Sequence, residues 1–476
     1  MQIQSIHFRR RASAAIADPE TKKRMASLGF AQRRADRVAE FGADAFEAQR
    51  DAAEAIRNRS IGDLATWIEQ FEVEAVRRGA TVLFANDAKE VGDLVVEICR
   101  RHDLKKAIKS KSMLSEEADL NRVLAAAGVQ PVETDLGEYI CQLAEDPPSH
   151  IIAPAMHKSQ DEIADLFVRH HGTPRLDRPE ALTREAREKL REHFLSADLG
   201  ISGGNFLIAE TGSVALVTNE GNGRLVTTLP RVHVAITGIE KVVPTLEDLS
   251  TLMRLLPRSA TGQNISNYFS VLTGTRDAGS SEGPEHLYFI LVDNGRANLV
   301  GSELQDMLRC IRCGACMNHC PVYKTVGGHS YGWVYPGPMG SVLTPAFMGL
   351  SAALDLPHAA TLCGACEVVC PVKIPLPALL RSLRERQVEA KLRPRAEMLA
   401  LKLWSAAARL PRLYAFLARW GARALRLLGG PGGMVTRLPF ASGWTSGRYF
   451  PAPQPGGTFR DRYVRGENSQ RHSRRG

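Results

Sequence analysis

Seven cysteines between positions 310 and 370 carry the clearest chemistry in this 476-residue chain. Four form the run Cys310-x2-Cys313-x2-Cys316-x3-Cys320, closed by Pro321. Three form Cys363-x2-Cys366-x3-Cys370, closed by Pro371. Thiolates at two-residue gaps followed by a Cys-Pro pair are the pattern of an iron–sulfur cluster binder. A tight loop aims three thiolates at three irons of one cubane, and the fourth cysteine faces away toward a second cluster. The proline, with no N–H and a fixed φ, turns the chain out of the site. Zinc also takes C-x2-C pairs, but seven thiols with two Cys-Pro endings suit a single tetrahedral ion poorly.

The crossing rule for such runs assigns Cys310, Cys313, Cys316 and Cys370 to one [4Fe-4S] cluster. It leaves Cys320, Cys363 and Cys366 for the other, with Ala360 where an eighth thiol would stand. That second site suits a [3Fe-4S] cluster, or a [4Fe-4S] cluster with a non-cysteine or distant fourth ligand. His319, His329 and His358 are near in sequence, and Cys99 and Cys141 are the remaining thiols. An iron left open also offers a route to catalysis. Cys99 and Cys141 lie in helical, apolar-leaning stretches and read as small buried hydrophobes. Thiols packed this densely, and odd in number, belong to a reducing compartment rather than to a disulfide frame.

These thiols need a scaffold, and the chain supplies several segments. Residues 1–60 read as a charged helical segment. Leu64, Trp67, Ile68, Phe71 and Ala75 recur as one helix face. Ala80–Ala85, Val129–Thr134 and His150–Ala155 read as strands, with helices at Glu90–Arg101 and Leu114–Ala127. Strands alternating with helices predict an α/β domain with a largely parallel sheet. Arg184–Ser196 reads as helix. Asn205–Glu210 and Ser213–Thr218, split by Thr211-Gly212, predict a two-residue hairpin. Arg224–Leu229, Arg231–Thr237 and His286–Asp293 read as further strands of a mixed sheet. The division is thus 1–60, an α/β domain over 61–298, a cluster domain over 299–390, and an extension over 391–476. Across the last boundary, 380–430 reads as helical and basic, and 430–476 reads as extended.

The 42 residues between the two cysteine groups exceed a compact small ferredoxin. The connection resembles that of the α-helical ferredoxin domains, as in the iron–sulfur subunit of succinate dehydrogenase or the small subunit of heterodisulfide reductase. In the former, the three-cysteine cluster is a three-iron one. ETDLGEYI (133–140), PPSHIIAPAMHK (147–158), ADLGISGGNFLIAETGSVALVTNEGNGR (197–224) and LPRVHVAITGIEKVVP (229–244) resemble the LUD domain. CIRCGACMNHCPVY, GGHSYGWVYPGPMGSVLTP and LCGACEVVCPVKIP resemble the cluster region of the lactate utilisation protein B family. The resemblance runs from about residue 60 to the end. It implies a mixed-sheet LUD domain similar to the CoA-transferase and sugar-isomerase folds, an α-helical ferredoxin domain and a basic tail. It further implies an iron–sulfur electron carrier in the oxidation of L-lactate to pyruvate, acting with lactate utilisation proteins A and C.

Fold similarity does not transfer activity, so the α/β domain is read on its own residues. Asn205, Glu210, Thr211, Asn219, Asn222 and Arg224 cluster around Gly212, Gly221 and Gly223. Backbone N–H groups with one guanidinium there could hold a small carboxylate. This supports a second expectation: a catalytic 2-hydroxy-acid oxidoreductase subunit, binding substrate at the LUD domain or at an open iron. The same glycines also make turns that those polar side chains would satisfy. Gly221-x-Gly223 lacks the third glycine of a dinucleotide motif. His150, His157 and His233 read as satisfied sheet-end histidines.

The formal charge of +9 is uneven. From Pro371 onward there are 21 Lys+Arg against 5 Asp+Glu, and before it 40 against 47. Between Lys391 and Arg426, nine basic residues and one acid accompany Trp404, Trp420 and many leucines. That pattern suits a helix covering an acidic surface of the same chain or a partner, or peripheral contact with a membrane. The aromatics are too sparse for a nucleic-acid stacking platform, and nucleic acid is not an expected partner. No secretory pattern opens the chain and no run of 18 apolar residues occurs. The expected location is cytoplasmic, with membrane-surface contact left open.

Overall fold

The computed structural model describes residues 3–26, 29–264, 266, 268–439, 445 and 448–465. The chain divides into two compact units, Met1–Ala390 and Lys391–Gly476.

Among its described residues the first unit contains ten strands: β1 (Thr81–Ala85), β2 (Lys106–Lys109), β3 (Gln130–Glu133), β4 (Leu199–Gly203), β5 (Phe206–Ile208), β6 (Ser213–Thr218), β7 (Val232–Gly238), β8 (Val242–Val243), β9 (Tyr268–Leu272) and β10 (His286–Val292). Six form a wholly parallel sheet in the order β1-β10-β7-β4-β2-β3. Its central strands are buried on both faces, as their continuous apolar runs require. Along β10, Tyr288, Ile290 and Val292 pack toward the helix Ala88–Arg101, while Leu287, Phe289 and Leu291 pack toward Phe71 and Ala75 of the helix Leu64–Arg77. The chain runs outward from β2 to β3, then returns to lay β4 on the other side of β2. Strand order therefore reverses between β2 and β4, and such a switch leaves a crevice at the strands' carboxyl ends.

The mixed pairing lies in a second sheet, separate from the parallel one. The second has the order β8-β5-β6-β9, with β6 antiparallel to both β5 and β9. Its hairpin is looser than expected, since the pairing stops at Ile208 and Ser213 and leaves four residues in the turn. Arg224–Leu229 is not a strand. Residues 224–228 lie in the helix Asn222–Thr228, which Leu229 caps; there the Thr227 and Thr228 hydroxyls bond the Arg224 carbonyl and so favour the helical turn over the β preference of Val and Thr. His150–Ala155 is not a strand either, because His150 Nδ1 accepts from the Ile152 and Ala153 N–H groups and takes the place of a ladder partner. Leu114–Ala127 is broken into Met113–Glu117 and Leu120–Ala126 by Asp119, whose φ is 52°.

Beyond β10 the first unit is helical, with Ala315–His319, Pro321–Val326, Gly337–Met348, Ala365–Val368 and Leu376–Glu389 as its α-helices. The N-terminal helix Ala43–Gly62 belongs to the same core: Phe46, Ala53, Ile56 and Ile61 are buried with Leu308, Ile311, Val372 and Leu379.

In the second unit, the helices Arg395–Ala408 and Pro411–Leu428 contain no buried residue. A short antiparallel pair joins Met434–Val435 to Phe450–Pro451. The expectation of extended chain over 430–476 is corrected at Phe459–Val464, which is helical and capped by Thr458. The rest of that expectation falls partly at 440–444, 446–447 and 466–476, outside the described residues.

Candidate functional site

The two cysteine loops are built alike. Arg312 and Leu362, just before Cys313 and Cys363, have φ of 59° and 55°. Gly314 and Gly364, just after them, have φ of 74° and 83°, and each starts a short helix. The left-handed conformation costs a non-glycine residue roughly 1–2 kcal/mol, so the turn is imposed twice at Arg312 and Leu362. The shared geometry curls Cys313-x2-Cys316 and Cys363-x2-Cys366 around their own backbone N–H groups.

Cys310, Cys313, Cys316 and Cys370 line one small cavity of about 20 Å³, walled by Met307, Ile311 and Met339. Cys370 of the second run thus lies with three thiols of the first. The sulfurs of Cys320 and Cys363 both bear on Cys366, forming a second group. Burial, then the neighbouring sulfurs, pushes the Cys313 thiol up to about 12 and Cys316 well above its ordinary value. Burial also raises Cys370 to about 11 and Cys366 to about 12. The exposed Cys363 goes the other way, lowered by the Thr361 hydroxyl and the Ala365 N–H. Backbone donors point at sulfur, with Tyr323 N 3.5 Å from Cys320 Sγ and Ile374 N 3.4 Å from Cys370 Sγ.

Basic side chains surround the first group. Arg50 Nε donates to the Cys370 carbonyl at 3.0 Å, and Arg34 lies close enough to Cys313 and Cys370 to feel both sulfurs. Arg57, fully buried, donates to the carbonyls of Val242 at 2.8 Å, Leu308 at 3.0 Å and Arg309 at 3.4 Å, and also to Glu240. Soft thiolate donors, N–H groups aimed at sulfur and flanking cations fit iron–sulfur clusters, whose net charge and sulfur hydrogen bonds they balance.

The other candidate ligands are placed as follows. His319 Nδ1 meets the Ala315 carbonyl at 2.9 Å, His329 Nε2 meets Pro147 O at 2.7 Å, and His358 Nε2 meets Gln387 Oε1 at 3.0 Å. The Ala360 carbonyl accepts from Arg384. Cys99 is buried among Val91, Val95 and Ile98, and burial raises its thiol to about 11. Cys141 is buried in the helix Leu136–Leu143, and its thiol is raised, first by burial.

At the carboxyl ends of β2, β4 and β7 lies a larger cavity of about 220 Å³. Its wall runs from the switch point to Cys313. Lys111, Lys241, Arg296 and Arg312 line it, with Asp135 and Glu240 as the acids. Lys111 Nζ donates to Ile152 O at 3.1 Å and lies 3.4 Å from Asp135 Oδ2. Arg296 forms a bidentate pair with Glu117 at 3.0 Å on both oxygens and reaches Glu240 at 2.9 Å. Arg312 stacks 4.5 Å over the Tyr335 ring. Burial, then Arg312, brings Lys241 down to about 7, against the pull of Glu240 and Cys310. Thr237 Oγ1 and Asn222 Oδ1, two buried polar atoms of the lining, have neither a hydrogen-bond nor an ion-pair partner. Gly204 has to be glycine here, because a Cβ would stand 2.4 Å from Thr237 Oγ1.

Residues 68–292 match the LUD domain family, and residues 306–374 match the 4Fe-4S dicluster domain family. Lactate utilization protein B of Bacillus licheniformis is 45% identical over 419 residues, covering 87% of each chain. The Bacillus subtilis protein of the same name is 43% identical over 435 residues, covering 90% of this chain and 89% of its own. That from Geobacillus kaustophilus is 45% identical over 417 residues, covering 86% of each. The chain belongs to the lactate utilization protein B family. Among solved structures, a DUF162 family protein from Deinococcus radiodurans shares 14% identity at a TM-score of 0.27, over 48% of this chain and 98% of that one.

In this member of the lactate utilization protein B family, the LUD match encloses all ten strands and the dicluster match encloses all seven loop cysteines. Of the polar residues picked from the sequence, Asn205, Asn219 and Asn222 line the large cavity. Glu210, Thr211 and Arg224 do not line it. Glu210 accepts from Leu246 N at 3.0 Å, Thr211 sits in the hairpin turn, and Arg224 is exposed on its helix. Lys111, Thr237 and Lys241 were missed. Their signal was position, since each lies at or just beyond the carboxyl end of a parallel strand. The arginines at 34, 50 and 57 carried no sequence signal, because only the tertiary fold brings them to the thiols. His150 is buried with Nε2 3.1 Å from Asn318 Oδ1, and His233 is buried with Nε2 2.8 Å from Ser202 Oγ.

Proposed function

We propose that this chain is an iron–sulfur electron-transfer subunit for oxidation of L-lactate to pyruvate, working with lactate utilisation proteins A and C. The observation that carries the reading is the gathering of seven thiols into two groups, four and three, within one compact unit. Cys310, Cys313, Cys316 and Cys370 would hold one [4Fe-4S] cluster. Cys320, Cys363 and Cys366 would hold the second, as [3Fe-4S] or as [4Fe-4S] with a fourth ligand from another group. When bound, such clusters accept and pass on single electrons. The residues around them set the conditions: apolar walls exclude water, N–H groups stabilise sulfur charge, and Arg34, Arg50, Arg57 and Lys241 offset the negative charge that accumulates there.

The test is electron paramagnetic resonance with iron analysis on anaerobically purified protein. Iron–sulfur signals in one redox state support the reading, and zinc in place of iron overturns it. Lactate should reduce the clusters only when the partner proteins are added.

A second reading has its own support. The large cavity joins the sheet's switch point to Cys313, and cations outnumber acids in its lining. A 2-hydroxy acid offers a carboxylate to Lys111 and the Thr237 hydroxyl, and a hydroxyl donor to Asn222 Oδ1. Under this reading the chain is itself a 2-hydroxy-acid oxidoreductase subunit. Lactate oxidation by the purified chain alone, with an artificial acceptor, would support it, and activity that requires the partners would count against it.

The second unit is read as a docking element. Its two long helices expose Leu399, Leu403, Trp404, Phe416, Leu417 and Trp420 beside the arginines, and no helix among the described residues is long and apolar enough to cross a membrane. A partner subunit is the favoured surface, and peripheral membrane contact is the alternative.

A further inference from the structure

Away from the thiols, the loop between the helices Leu136–Leu143 and Gln160–His171 meets the segment just after Val326. One ligand atom each from Asp146, His157 and His329 lies within 4.8 Å of the others. The hydrogen bonds around them fix where the ring protons sit. Ser149 Oγ donates to Pro154 O at 3.0 Å, so it accepts from His157 Nδ1, 2.8 Å away. His329 Nε2 is 2.7 Å from Pro147 O, and a carbonyl can only accept. In the neutral rings this leaves lone pairs on His157 Nε2 and His329 Nδ1.

His157 Nε2 faces Asp146 Oδ2 at 3.1 Å. Two lone pairs meet there unless a proton or a cation stands between them. Zinc bonds of about 2.0–2.2 Å set adjacent tetrahedral ligand atoms about 3.3 Å apart, close to the observed separation. The carbonyl and hydroxyl behind the two rings are the outer contacts that orient metal-bound imidazoles. The backbone frame is tight as well. Tyr323 donates to Ser149 O at 3.0 Å, and a Cβ at Gly328 would stand 1.7 Å from that same oxygen. All three residues line a broad groove of about 1300 Å³, so the cluster can be reached from solvent. Lys158 Nζ sits 2.8 Å from the same Asp146 oxygen and competes for it.

We infer that Asp146, His157 and His329 bind one divalent transition-metal ion of the zinc class, tying the 146–157 loop to the segment at His329. Two imidazoles and one carboxylate favour zinc over the all-oxygen shells of magnesium or calcium. The site is independent of the seven thiols, and its failure would leave the electron-transfer reading intact.

The experiment is equilibrium dialysis of the cluster-loaded protein against buffered free zinc under anaerobic conditions, with zinc and iron both measured. The expected result is about one zinc per chain at unchanged iron, weakened about 100-fold or more in His157→Ala and His329→Ala. Lys158→Ala should tighten binding, since it removes the competitor. No zinc uptake by the wild type, or equal uptake by wild type and His329→Ala, overturns the proposal. If an alanine variant loses its iron, Asp146→Asn keeps the side chain's size and shape but not the ligand charge. Zinc binding unchanged in that variant overturns it equally.

Discussion

Lys241 Nζ donates to the carbonyl oxygen of Cys310 at 2.6 Å. The first residue is in the 3₁₀ turn after β7, and the second opens the first cysteine run. This bond joins the sheet's carboxyl edge to the thiol loop and sets an amine beside the first sulfur group. Lys241→Met removes an amine that carries its charge below about pH 7, and below that pH it makes the neighbouring cluster harder to reduce. A fall in its potential on the order of 50 mV is expected, from one partly screened charge at close range. A redox titration followed by electron paramagnetic resonance checks it, and an unchanged or raised potential contradicts it.

The two thiol groups should be separable. Cys320→Ser should remove the second cluster and spare the first, taking iron from about 7–8 per chain to about 4. Cys313→Ser should do the reverse. Loss of all iron in both variants would mean that neither group assembles without the other.

Arg57 is fully buried and binds four carbonyl groups contributed by segments far apart in sequence. Burial lowers its guanidinium to about 10, which still leaves it charged at neutral pH. Arg57→Met leaves those carbonyls without a donor, and a loss of about 3–5 kcal/mol is expected. The thermal midpoint should fall and iron retention with it. A midpoint within a degree of wild type would show that the carbonyls find other donors.

The large cavity makes its own prediction. If a 2-hydroxy acid binds there, Lys111→Ala and Asn222→Leu should each weaken lactate binding about 10-fold or more, since each removes a charge-assisted or buried hydrogen bond. Arg224→Ala, on the exposed helix face, should leave binding as it was. Calorimetry with the three variants checks this, and a loss confined to Arg224→Ala would move the site to the exposed face of the helix Asn222–Thr228.

Two buried histidines shape the acid limb of stability. Burial holds His233 at about 3 and His150 at about 4, from an ordinary 6.5. Below pH 6.5 the unfolded chain takes up these protons and the folded chain does not. Stability is therefore present above that pH and lost as pH falls toward 4. Glu220 works in the opposite sense. Burial, then Asp135, raises it to about 7, so its contribution is present below about 4.5 and lost as pH rises through 7. His233→Gln isolates one term, and its stability curve should lack about 1.4 kcal/mol per pH unit between pH 6.5 and 4 relative to wild type. Parallel curves would contradict the assignment.

Much of this was legible in the sequence where local spacing carries the information. Continuous apolar runs gave β7 and β10, and the α/β alternation gave the parallel sheet. Errors arose where side chains answer backbone needs locally. His150 looked like part of a strand, but its ring satisfies the turn that follows. Val226 and Thr227 looked like strand residues, but threonine hydroxyls close a helix turn there. The large cavity was half visible. Asn205 and Asn222 stood out as polar residues among glycines, whereas Lys111, Thr237 and Lys241 matter only because strand order reverses between β2 and β4. A reversal of that kind is a property of topology and leaves no mark in any short stretch of residues.

The helix Ala43–Gly62 has a consequence for the order of events during synthesis. Arg57 bonds the carbonyl of Arg309, a residue 252 positions later in the chain. At about 5–20 residues per second, the helix waits about 13–50 seconds for its partner to be made. Until then Arg57 has only the Glu240 and Val242 carbonyls of its four, and the thiol loops do not yet exist. The housing closes only when Cys370 has emerged, so iron and sulfide are needed after that point, when all four carbonyls that Arg57 binds have already been made.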